Sequence, residues 1–196
     1  MFPLLQITVL GMVLCVSGAS APGQDKDYEA VVKAITMGDP DSAAIALHRL
    51  TVTNVRRMFA VDRQLLELRK AEPDLDTRVS ELRRQFDPRN RAGSAEVELD
   101  AKVYEAIPEI AQILRAQRIS GREYQLTRLA AFLAAMWDEA LPDEYLQTRE
   151  GREMARSMMS PALKFWKSMP SALKAEADDW KSAQGFAGRG RGGFMR

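Results

Sequence analysis

ISGREYQLTRLAAFLAAMWDEALP, residues 119–142, carries the signals that decide the fold. Ser120 followed three positions later by Glu123 is a capping box: the hydroxyl accepts from the Glu123 amide and the carboxylate reaches back to the cap. Ile119 and Tyr124 occupy the two positions of a hydrophobic staple. Downstream, Leu126, Leu129, Ala130, Leu133, Met136 and Trp137 recur at the helical i, i+3, i+4, i+7 spacing, and Phe132 widens the face. Pro142 stops the run. A face this broad, with alanines at 130, 131, 134 and 135, predicts a central helix over 121–141 approached closely by several neighbours.

The segments on either side extend the same pattern. Asp25 to Met37 places Tyr28, Val31, Val32 and Ile35 on one side and ends at Gly38-Asp39-Pro40. A short helix with Ile45 and Leu47 is predicted from Asp41 to Leu50. The next starts at Thr53 or Thr51 as N-cap and stops before Pro73. Val55, Met58, Phe59, Leu65, Leu66 and Leu68 form its apolar set, and Asp62 interrupts the stripe. Asp76 is placed to cap a brief helix with Val79, Leu82 and Phe86. Residues 87–94, DPRNRAGS, read as a loop.

Ser94 is the expected cap for a helix carrying Val97, Ala101, Tyr104 and Ile107. Pro108 either kinks this helix or begins a new one carrying Ile110, Ile113 and Leu114; because the stripe of Tyr104, Ala111 and Leu114 runs across the proline, the kink is the favoured expectation. After Pro142 come shorter pieces with Tyr145, Leu146, Met154 and Met158, then Ser160-Pro161 as a cap with proline at N1, then Pro170-Ser171. No stretch alternates in the strand manner outside the leader. The fold class is therefore all-α, an irregular bundle of about six to eight helices.

The chain has 196 residues and a formal net charge of +1. That length fits one domain with a tail, and the charge balance supplies no overall pull toward nucleic acid or anionic lipid. Residues 1–21, MFPLLQITVLGMVLCVSGASA, contain no charged side chain. The apolar run is shorter than the about 20 residues that span a bilayer. Small residues follow it, with Ser17 and Ala19 at −3 and −1 for cleavage after Ala19, as in a signal peptide. The run lacks the basic residue that usually precedes such a segment. Export to a bacterial periplasm or the medium is the expectation, with a buried N-terminal helix or an uncleaved anchor as the alternatives. Cleavage would remove Cys15, the one cysteine, and with it any disulfide or thiolate chemistry. Residues 22–181 then form a single helical domain, and 182–196, rich in Gly and Arg, a tail unable to bury a core.

Each candidate site has a plain structural reading beside it. His48, the one histidine, reads as a packing residue, because no G-x-S-x-G turn accompanies it. Asp138, Glu139, Asp143 and Glu144 flank the Pro142 stop; they suit a hard cation or a carboxylate pair, and more simply ion pairing and helix-start charge. Arg78, Arg83, Arg84, Arg89 and Arg91 make a basic region that also reads as a solvated helix face. Gly188 to Gly193 resembles the arginine–glycine segments that contact single strands. Met136, Trp137, Met154, Met158, Phe165 and Trp166 form core at helical spacing, or else an apolar groove for a lipid or peptide. No catalytic, cofactor-binding or metal-binding residue is assigned.

LTVTNVRRMFAVDRQLLEL, RISGREYQLTRLAAFLAAM and PALKFWKSMPSALKAEADDW together resemble a loose group of uncharacterised exported all-helical bacterial proteins. The shared signals are an L-T-x-x-x-V-R helix, R-E-Y at the head of an Ala-rich helix and a late N/P-A-x-x-F segment. The resemblance implies an exported helical domain and carries no activity. The expected function is therefore non-enzymatic binding of a protein or another cell-envelope component, with an apolar-ligand module as the alternative.

Overall fold

The computed structural model describes residues 40–87, 97–140 and 160–184. The helix read over 25–37, the 87–94 loop beyond Asp87, residues 141–159 and the tail beyond Gln184 lie outside them. Eight helices and no strand occur among the described residues, an all-α bundle. They are α1 (Pro40–Leu47), α2 (Val52–Ala71), α3 (Leu75–Phe86), α4 (Val97–Ala106), α5 (Pro108–Ala116), α6 (Gly121–Ala140), α7 (Pro161–Lys167) and α8 (Ser171–Ala183).

Three helix starts carry the side-chain cap that their local sequence signals. Thr51 caps α2 in a reciprocal box, its Oγ1 accepting from the Asn54 amide at 3.2 Å while Asn54 Oδ1 accepts from the Thr51 amide at 2.7 Å. Asn54 is buried, and its Nδ2 donates to the Arg49 carbonyl at 3.2 Å, so burial leaves it satisfied. Ser160 Oγ accepts from the Leu163 amide at 3.1 Å with Pro161 at N1. Ser120 Oγ accepts from the Glu123 amide at 3.1 Å, and the staple residues Ile119 and Tyr124 are both buried.

Three local expectations change. The chain breaks into two helices at Pro108, because Ile107 is extended (φ −90°, ψ 113°) and itself stands at the N-cap of α5. Proline disfavours helical geometry at the preceding residue, and the bend lets both Ile107 and Ile110 bury. Asp74, not Asp76, stands at the start of α3; it makes no side-chain cap, and Asp76 falls in the first turn. Phe86, read as part of the α3 stripe, is 48% exposed at the helix end. The start of α4 takes its partner from far away: the Val97 amide donates to Asp41 Oδ2 of α1 at 2.9 Å.

The Ala-rich helix is central, as its breadth implied. α6 packs against α1, α2, α4, α5 and α7, and Ala130, Ala131, Ala134 and Ala135 are all buried. One interior runs from Ile45 through α2 and α6 to Trp180. The closest approach lies at the start of α6. A Cβ on Gly121 would stand 2.8 Å from Glu105 Oε1 and 2.9 Å from the Ala101 carbonyl oxygen of α4. Glu105 Oε1 also accepts from the Gly121 amide at 2.8 Å, so the carboxylate satisfies an orphan donor of the first turn. Gly121→Ala is expected to lower stability by about 1–3 kcal/mol in urea unfolding, because the Ala101 backbone cannot yield as a side-chain tip can.

Candidate functional site

Asp62 lies on the inward side of α2, between Met58 and Phe59 one turn before it and Leu65 one turn after, all three buried. Its side chain is only 10% exposed. A carboxylate in such surroundings persists only with partners, and it has three. The Tyr124 hydroxyl of α6 donates to Oδ1. The Trp180 indole Nε1 of α8 donates to Oδ2 at 2.5 Å. Arg128 Nε, one turn beyond Tyr124, stands 3.6 Å from Oδ1. One ion thus ties α2 to α6 and α8.

Aromatic rings wrap this node. Phe59 and Trp180 meet at a centroid distance of 5.6 Å, Trp180 and Trp166 at 6.0 Å, and Tyr104 and Tyr124 stack at 5.8 Å. Burial, and beside it the Asp62 charge, push the Tyr124 phenol well above its ordinary value, so it stays a neutral donor. Arg128 is held above its ordinary value despite burial, through Tyr124 and Asp62. Its Nε is buried without a hydrogen-bond partner, the ion pair with Asp62 being too long for one. Its Nη2 reaches Gln184 Oε1 at 3.3 Å. The node is built to hold three helices together, and every group in it is engaged by another.

His48 follows the end of α1 and meets α6 at another position. Its Nε2 is 3.0 Å from Thr127 Oγ1, and Thr127 is fully buried. Burial first, and the Arg122 charge second, lower the His48 pKa. The histidine therefore joins α1 to α6 as a packing residue. The other singled-out charges are similarly occupied. Arg78 bridges Glu72 at 2.7 Å and Glu109 at 3.0 Å, and Arg83 meets Asp100 at 2.7 Å. Asp138 accepts from Lys167 Nζ at 2.9 Å, linking α6 to α7. Arg89, Arg91, Asp143 and Glu144 lie outside the described residues, as does the side chain of Glu139. Among the described residues no three His, Cys, Asp or Glu side chains converge as metal ligands would.

Of the six residues read as core or groove, Trp166 is buried and Met136, Trp137 and Phe165 are half-buried. Met154 and Met158 lie outside the described residues. Trp166 borders a cleft of about 170 Å³ between the end of α6, α7 and α8, together with Asp138, Lys167, Met169, Lys174, Ala177, Asp178 and Lys181. Its rim is thus charged, which suits an ionic group better than a hydrocarbon chain. Sequence reasoning did not single out these lysines. The seven-residue spacing of Lys174 and Lys181 on α8 was the available signal, since two helical turns return a side chain to nearly the same face; Lys167, at the end of α7, joins them only through the packing of the two helices.

Removing the ion at the node leaves Tyr124 and Trp180 without their acceptor and Arg128 without its counter-charge. Asp62→Ala is expected to cost about 3–5 kcal/mol in urea unfolding, and Trp180→Phe about 1–3 kcal/mol, through a buried acceptor left one donor short. His48 sets a pH dependence. The unfolded chain takes up the proton at about pH 6.5, while the folded chain resists it. Stability is therefore fully present above that pH and declines as pH falls through 6.5 toward the lower folded-state value. A pH series of unfolding curves should show this decline, and His48→Gln should flatten it between pH 7 and 5.5. No protein-family model, curated protein or solved structure matches this chain.

Proposed function

We propose that the chain is an exported helical domain that acts by binding a protein or another component of the bacterial cell envelope. The observation that carries this reading is the use made of the inward-facing polar groups. Asp62 is spent on Tyr124, Trp180 and Arg128, His48 on Thr127 and Asp138 on Lys167. Groups used in this way fix helix positions, and a domain so fixed offers a rigid outer surface. Leu66 of α2 and Phe86 at the end of α3 stand 43% and 48% exposed, and exposed apolar side chains of this kind can supply contacts to a partner. The uncharged leader and its Ser17–Ala19 cleavage signal support export, in line with the resemblance to exported helical proteins. No described helix is long and apolar enough to cross a membrane.

Expression of the full chain in a bacterial host, followed by fractionation and intact-mass analysis, tests export. A mature product beginning at Ser20 outside the cytoplasm is expected; a full-length cytoplasmic product would overturn it. Leu66→Glu with Phe86→Glu should abolish cross-linking to the envelope partner while changing stability by about 0.5 kcal/mol or less per site. Undiminished cross-linking would remove Leu66 and Phe86 as binding contacts.

A further inference from the structure

We propose that the cleft between the end of α6, α7 and α8 binds a small oxyanion, a carboxylate or phosphate group, with Lys174 as its principal contact and Lys181 and Lys167 beside it. Size sets the class of ligand. The cleft's volume of about 170 Å³ is well below the roughly 300–1,000 Å³ of pockets that enclose drug-sized molecules. Charge sets its sign. Lys167, Lys174 and Lys181 face Asp138 and Asp178 across the lining, which leaves one positive charge in excess.

The three lysines are not equally committed. Lys167 is held by Asp138 at 2.9 Å, with both side chains substantially shielded. Lys181 pairs with Asp178 at 3.2 Å on its own helix, and Asp178 is more than half exposed. Such a surface pair contributes little, so Lys181 can turn part of its donor capacity to a ligand. Lys174 makes no ion pair among the described residues. It stands two turns before Lys181 on α8, so both side chains leave that helix on nearly the same face, and both line the cleft. Trp166, Met169 and Ala177 complete the lining and place an indole ring beside the lysines. An ammonium is a compact donor that accepts an oxyanion from several directions, so the site discriminates by charge and size more than by shape. This inference requires neither export nor a protein partner.

The test is a titration of the full-length chain, followed through the tryptophan indole N–H resonances by NMR at constant ionic strength. Sodium phosphate, sodium acetate and sodium chloride are the probes. Saturable shifts at Trp166 with phosphate or acetate are expected, and whichever oxyanion saturates at lower concentration identifies the favoured group. The Trp180 indole, donated to Asp62, should remain still. Lys174→Gln should weaken binding about tenfold, the loss of one charged hydrogen bond, with the melting temperature unchanged because that side chain is exposed. Three outcomes would overturn the proposal: a non-saturating response equal to that of chloride, an affinity unaltered in Lys174→Gln, or association with phosphatidylglycerol vesicles while free phosphate and acetate leave Trp166 unmoved.

Discussion

A single carboxylate inside an apolar stripe sets the geometry of this domain. Asp62 cannot be buried unless its charge is answered, and the donors that answer it come from two other helices. Tyr124 fixes the rotation of α6 against α2, and Trp180 fixes where α8 lies. Apolar packing alone tolerates many sliding arrangements of helices, since one leucine can replace another in a groove. A charge with directional donors removes that freedom. The pairing of α8 with α2 across 118 positions of sequence is held by this ion and by the Phe59–Trp180 ring contact next to it.

The second constraint is the thinness of α6. Its buried alanines let α2, α4 and α7 come close to one backbone, and at Gly121 the approach of α4 leaves no room for a side chain. Small residues make the contact possible; large ones on the neighbouring helices fill the remaining space, as Phe59, Leu163 and Leu173 do. Polar links then close the periphery. Asp41 reaches the start of α4, Glu105 the start of α6, and Arg78 joins the α3 region to α5. Each satisfies a helix terminus or an arginine, and each spans elements that are distant in the chain.

These two constraints bear on the function proposed above. Acidic and basic groups that face inward are occupied in holding helices, whereas those around the cleft beside Trp166 retain uncommitted donors. A domain organised in this way presents exposed apolar side chains at Leu66 and Phe86 and a charged cleft beside α8. Binding at either surface requires no rearrangement of the interior.

Much of the fold is legible in the sequence because helix starts and apolar faces are local properties. The Ser120 and Ser160 caps, the staple at Ile119 and Tyr124 and the central role of the alanine run all rest on residues within two turns of one another. Pro108 shows the boundary of that reading: an apolar stripe continuing across a proline describes a kinked helix and two separate helices equally well, and the burial of Ile107 decided for the second. The node itself was only half visible. A charge between Phe59 and Leu65 signals a buried partner, but nothing near it in the chain names Tyr124, Trp180 or Arg128. The lysine-rimmed cleft likewise exists only once α6 is laid against α7 and α8. The sequence by itself therefore determined which segments coil and which faces turn inward, through spacing and caps that act over a few residues. Tertiary structure alone decided which distant groups meet, because directional hydrogen bonds and close backbone approach depend on the relative placement of whole helices.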